Sequence, residues 1–237
     1  RTFVMGENVW RTGDGMPLSG TAERPLYLAP NGRLQENAPA ARGASSAFVS
    51  DPGKPVVDPY GTAPGAHDYR ALARRGDVLV FDTAPLPEPL RAAGPVGVEI
   101  WLSADAPDAD LWALLEDVAP DGTAWNLSSP GTDVLRASER DGGAAARPLA
   151  PGEPVLLRFP NLRTGNLFAK GHRVRLVLCG SFMPHFSRNL QTGLFETASA
   201  TTRPARLTIH HDAAHPSRLV LPILADSGQD LPGRSER

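Results

Sequence analysis

Clusters that favour turns recur along the whole chain: Pro30-Asn31-Gly32, Asp51-Pro52-Gly53, Pro120-Asp121-Gly122, Ala150-Pro151-Gly152 and Lys170-Gly171. Proline fixes φ, Asx side chains bond their own backbone, and glycine takes positive φ without steric cost. With 23 glycines and 24 prolines in 237 residues, about one residue in five is of these two types, against ~12% in average usage. Both are unfavourable inside helices, so a chain punctuated this often cannot hold many long ones. That disfavours α/β-hydrolase and Rossmann scaffolds, which need repeated helices.

Between the turns the dominant pattern is alternation, the signature of half-buried strands. Val96, Val98, Ile100 and Leu102 fall on one face of a strand, as do Val174, Leu176 and Leu178 of another. Shorter strand candidates are residues 2–5, 26–28, 78–81, 155–159, 206–210 and 219–221. Residues 111–118 look helical by propensity. Their place after a clear strand and before Pro120-Asp121-Gly122 reads better as the second arm of a long hairpin. Residues 68–75 are expected to form the one short helix, and residues 32–68 and 137–147 to be long irregular loops. Many short strands between turns predict an all-β chain, a β-sandwich or jelly roll.

Composition and motifs exclude more than they assign. The net charge is −2 with no basic stripe, so no nucleic-acid partner is expected. No apolar run approaches the ~20 residues of a spanning helix, so no membrane partner is expected and a soluble, cytoplasmic setting is favoured. Only Lys54 and Lys170 among the 24 cationic residues are lysines, which reads as compositional bias. Cys179 is the single cysteine and sits in an apolar run, which predicts a buried, inert thiol. No serine has glycine at both −2 and +2, so the nucleophile elbow of α/β-hydrolases is missing. Ser45, in Gly43-Ala44-Ser45-Ser46-Ala47, is only half a match, in an expected loop. Gly13-Asp14-Gly15 fails as a dinucleotide fingerprint because position 18 is Leu. Asp105, Asp108 and Asp110 are read as a solvated turn with side-chain-to-backbone bonds. His210, His211, Asp212 and His215 are read as hydrogen-bonded groups at a strand end. No metal or other cofactor is assigned.

The chain opens on Arg1 and runs directly into apolar Phe3-Val4-Met5, which reads as a piece of a longer polypeptide. An excised domain would leave apolar side chains uncovered, with Phe3, Met5, Trp10 and Met16 the candidates. Residues 1–224 are taken as the domain and 225–237 as a flexible tail.

A series of blocks, in order, resembles one family. They are Phe3-Val4-Met5-Gly6-Glu7-Asn8-Val9-Trp10-Arg11, Arg75-Gly76-Asp77-Val78-Leu79-Val80-Phe81, Gly94-Pro95-Val96, and Ser103-Ala104-Asp105-Ala106-Pro107-Asp108-Ala109-Asp110. Asp117-Val118-Ala119-Pro120-Asp121-Gly122, Ala169-Lys170-Gly171-His172-Arg173-Val174-Arg175-Leu176, Phe186-Ser187-Arg188-Asn189 with Thr192-Gly193, and His215-Pro216-Ser217-Arg218-Leu219-Val220-Leu221-Pro222 follow. The chain thus resembles the C-terminal domain shared by X-Pro dipeptidyl-peptidases, bacterial cocaine esterase, α-amino-acid ester hydrolases and related acylases.

The resemblance implies a jelly-roll β-sandwich, galactose-binding-domain-like. It implies an α/β-hydrolase domain of the same polypeptide as partner, which holds the Ser-His-Asp triad. No catalytic residue maps onto this chain, so the chain alone is expected to be inactive. The loop with Pro55-Val56-Val57 and Tyr60 resembles the family segment nearing the catalytic cleft, which makes Val57 and Tyr60 the candidate wall of a substrate pocket. Here the usual Pro-x-x-Gly-Gly stretch is Val57-Asp58-Pro59-Tyr60-Gly61, so a surface loop aromatic is the alternative for Tyr60. Homo-oligomer contacts are left open. The alternative function is a stand-alone carbohydrate-binding jelly roll using Trp101, Trp125 or Tyr60 as aromatic platforms.

Overall fold

The computed structural model describes residues 1–128, 134–142 and 145–225. The expected tail falls, from residue 226 onward, outside the described residues.

Strands β1 (Thr2–Val4) and β2 (Val9–Arg11) form a small antiparallel hairpin. Then come β3 (Thr21–Ala29), β4 (Arg33–Gln35), β5 (Ser45–Ser50), β6 (Val78–Asp82), β7 (Leu90–Pro95) and β8 (Gly97–Ala104). They are followed by β9 (Asp110–Val118), β10 (Ala124–Asn126), β11 (Val134–Arg136), β12 (Val155–Phe159) and β13 (Arg163–Phe168). The last three are β14 (Arg173–Cys179), β15 (Ala205–His210) and β16 (Arg218–Leu224). One hydrogen-bonded path runs β10-β9-β14-β6-β4-β3-β16-β8-β15-β5, with β12 added to β8 and β13 to β7. The ladders are antiparallel apart from the short parallel β4–β6 contact.

This path folds back on itself as an all-β sandwich. Leu111, Ala113 and Leu115 of β9, Leu176 and Leu178 of β14, and Phe81 of β6 face one central core. The same core holds Val98, Ile100 and Leu102 of β8, Leu207 and Ile209 of β15, and Leu219 and Leu221 of β16. The two alternating strands read from the sequence therefore face each other across it. Residues 111–118 are extended, as the hairpin reading had it. All nine residues of β9 are buried, which explains their helical look: a strand buried on both faces shows no polar alternation.

Two expectations are corrected. Residues 68–75 contain only a single 3-10 turn, Leu72–Arg74, and a second one, Ala137–Glu139, opens the segment expected to be irregular. The segment 32–68 is not one loop, because it contributes β4 and β5. In β5 the inward residues are Ser46, Phe48 and Ser50, and the two serines hide the alternation that Phe48 alone cannot carry. Near the start of the chain Phe3, Trp10 and Met16 are exposed. Met5 is only half-exposed, because its backbone bonds Gly165 and Leu167.

Candidate functional site

The outward face of β9–β14–β6 is apolar. Trp112 and Leu114, Val177 and Cys179, and Val78 form a second core there. Water cannot cover such a row cheaply, and two loops do so instead. Residues 56–72 bring Val56, Tyr69 and Leu72, and residues 181–186 bring Phe182. The loops are zipped by backbone bonds, Met183 N–H to Val56 O at 2.9 Å and Asp58 N–H to Met183 O at 2.7 Å.

Asp58 is the keystone of this layer. Its side chain is buried and accepts from His185 Nε2 at 2.7 Å, from the Tyr69 hydroxyl at 3.0 Å and from the Tyr60 N–H at 2.9 Å. Desolvation of the phenol, followed by the Asp58 charge, raises the Tyr69 pKa far above its usual value. Tyr69 therefore stays a donor. Val57 and Tyr60, the two candidate wall residues, flank this keystone and point outward, 54% and 37% exposed. Tyr60 stacks on His67 with centroids 4.2 Å apart, meets Tyr69 edge-on at 5.3 Å, and donates to Asp68 O at 2.8 Å. Phe186, next to His185, is 50% exposed with its ring 5.8 Å from Trp112. The result is an aromatic shelf, dry beneath and open above. The sequence reading named Val57 and Tyr60 but missed Asp58, Tyr69, His185 and Phe186 as partners. Phe186 opens one of the quoted blocks; the Asp58–His185 bond joins residues 127 apart, which no local pattern reveals.

The same face buries Glu116. Neither of its carboxylate oxygens is hydrogen-bonded, and Arg175 Nη1 lies 3.8 Å from Oε2. Burial pushes its pKa up to about 8, the Arg175 charge opposing the rise. Arg175 spends its better geometry on Asp82, at 2.7 and 2.8 Å.

The other motifs resolve as structural. Asp105 is exposed and caps the Arg206 N–H at 2.9 Å, as a solvated turn residue would. Asp108 and Asp110 are instead buried, which corrects the solvated-turn reading. Asn189 Nδ2 donates to both, at 2.9 and 2.8 Å, and Arg136 lies 3.6 and 3.3 Å away. Burial raises Asp110 to about 6. Ser46 pairs with His211 Nε2 at 3.0 Å, and Ser103 with His210 Nε2 at 2.8 Å. His211 Nδ1 is buried without a partner, so no acid orients that ring as a triad base requires. Cys179 is buried and its thiol is pushed up to about 12, an unreactive state.

Fold and site together define the class, a β-sandwich whose outer face carries a loop-built aromatic shelf, with no Ser–His–Asp relay among the described residues. The chain belongs to the X-Pro dipeptidyl-peptidase C-terminal non-catalytic domain family, whose model matches residues 1–220. It is 32% identical over 245 residues to a cocaine esterase from a Rhodococcus strain, covering 94% of this chain and 41% of that protein. Among solved structures it resembles an aminopeptidase from a marine sediment archaeon of the Thaumarchaeota. The TM-score is 0.85 at 31% identity, with 94% of this chain and 40% of that one covered. An α-amino acid ester hydrolase matches at TM-score 0.81 and 28% identity, with 93% and 40% covered. The chain thus spans about two fifths of the length of these relatives. Among the described residues, no helix is long and apolar enough to cross a membrane.

Proposed function

We propose that this chain is the C-terminal domain of a serine acyl hydrolase or peptidase. In this reading residues 1–224 pack on an α/β-hydrolase domain of the same polypeptide and help to wall its substrate pocket. The observation that carries the reading is the shelf itself: Val57, Tyr60 and Phe186 stay open to solvent above a buried, fully bonded Asp58. Large apolar groups held outward on so fixed a base fit a surface that another domain covers. Chemistry would lie elsewhere, with a serine attacking an ester or amide carbonyl and a histidine as base. The shelf would contribute shape and exclude water.

The test is a fluorophosphonate label with X-Pro and p-nitrophenyl ester substrates. The isolated chain is expected neither to label nor to turn over, whereas the polypeptide joining it to the hydrolase domain does both. In that longer protein Val57→Ala and Tyr60→Ala are expected to change KM most for bulky acyl groups. Labelling of the isolated chain would overturn the assignment of chemistry to another domain. Unchanged selectivity in both variants would overturn the pocket wall.

A further inference from the structure

We propose that the opposite face of the sandwich carries a second site, for an acidic saccharide, centred on Trp101. The proposal is independent of the shelf, which lies on the outward face of β9–β14–β6. The outward face of β8 carries Glu99, Trp101 and Ser103. Register places Leu156 and His210 on either side of Trp101, and Arg158 and Arg218 on either side of Glu99. Beside them runs an open groove of about 620 Å³ lined by Trp101, Arg140, Arg147, Glu153, Leu156 and Arg158, among others. That volume falls within the ~300–1,000 Å³ of small-molecule sites.

The groove combines an indole with a small excess of cations, three arginines against Asp141 and Glu153. The Trp101 ring meets His215 edge-on at 4.9 Å, and Asp212 Oδ1 accepts the His215 backbone N–H at 2.7 Å and lies 3.3 Å from its Nδ1. A held indole can stack on the apolar C–H face of a pyranose with little loss of side-chain entropy. Glu99 accepts from Arg218 at 2.8 Å but stands 3.6 Å from Arg158, whose side chain is 68% exposed. One carboxylate therefore serves two guanidiniums, and Arg158 is the loosely held one. Arg140 donates through Nη1 to two carbonyls, of Ala137 and Arg147, bonds that do not cancel its charge. Arg147 is paired with Asp141. Arg140 and Arg158 thus outweigh Glu153, and a guanidinium takes a carboxylate bidentately. Indole beside guanidinium suits a sugar ring bearing a carboxylate. The open groove suits a chain of such rings better than an enclosed small acid.

The experiment uses the full chain, titrated with galacturonic-acid oligosaccharides and, in parallel, with neutral cello-oligosaccharides, read by calorimetry and tryptophan fluorescence. Saturable binding of the acidic oligomers is expected, about tenfold tighter than of the neutral ones. Trp101→Ala is expected to abolish it and Arg158→Gln to weaken it about tenfold, with circular dichroism unchanged. Arg158 is exposed, so its variant keeps the test valid even if Trp101→Ala unfolds. Trp125→Phe, on another face, should bind as the parent does. No saturable binding up to about 10 mM, an affinity too weak to count as a site, would overturn the proposal. So would equal affinity for both oligomers, or Arg158→Gln without effect.

Discussion

The two outward faces of the sandwich are built from the same kind of antiparallel ladder and end up covered differently. On β9–β14–β6 the outward row is Trp112, Leu114, Val177, Cys179 and Val78, and loops roof it with Val56, Tyr69, Leu72 and Phe182. On the β8 side the outward row is Glu99, Trp101, Arg158, His210 and Arg218, with Glu99 paired to both arginines and His215 against Trp101. An apolar outward row demands another layer, because leaving it wet costs about 25 cal/mol per Å². That layer is irregular backbone, so it needs polar anchors such as Asp58. A row of ion pairs needs neither.

The largest effect expected from this contrast is at Trp112. Its ring is buried beneath the loop layer and touches both Phe182 and Phe186. Trp112→Ala is expected to destabilise by ~3–5 kcal/mol in urea denaturation. A loss under ~1 kcal/mol would mean that the loop layer does not pack as a core.

Asp58 comes next. Asp58→Ala strands the Tyr69 hydroxyl, His185 Nε2 and the Tyr60 N–H, and a cost of ~3 kcal/mol is expected. Amide exchange should accelerate in residues 56–72 before it does in β8. Uniform acceleration would show that Asp58 supports the whole sandwich and not the layer, and would erase the distinction between the faces.

These partners also show where sequence reading stops. The alternation of Val96 to Leu102 and of Val174 to Leu178 placed the central core correctly, because a period of two is written in neighbouring residues. The shelf residues Val57 and Tyr60 came from resemblance, not from any local pattern. Asp58, Asp108 and Asp110 were not legible. Each is defined by a partner far along the chain: His185 for the first, Asn189 for the other two. A carboxylate in a loop looks solvated until the fold brings its donor. β5 was hidden for a related reason, since Ser50 is buried against Gln191, whose Nε2 donates to its hydroxyl.

Glu116 gives a smaller effect of opposite sign. Its folded pKa is raised to about 8 from an ordinary 4.5, so the folded state holds a proton that the unfolded chain releases. Stability contributed at this site is therefore full below pH 4.5 and is lost as pH rises toward 8. Glu116→Gln removes that loss. The variant is expected to gain on the order of 2 kcal/mol at pH 8 and little at pH 4, measured by denaturation at both values. Arg175 keeps Asp82, so no cation is stranded. A variant destabilised equally at both pH values would show that the carboxylate is held ionised by Arg175.

The smallest effect belongs to the open face. Glu99→Gln weakens the contacts to the partly exposed Arg218 at 2.8 Å and the exposed Arg158 at 3.6 Å. The stability change is expected to stay under ~1 kcal/mol and to shrink at high salt. The same substitution leaves two arginines beside Trp101 without their shared carboxylate, so affinity for an acidic oligosaccharide should rise while stability barely moves. A loss of several kcal/mol would make Glu99 a structural keystone like Asp58, and the two faces would no longer differ in kind. Small loss with tighter acidic binding is the result expected of a face that stands open because its residues are matched to water and to charge.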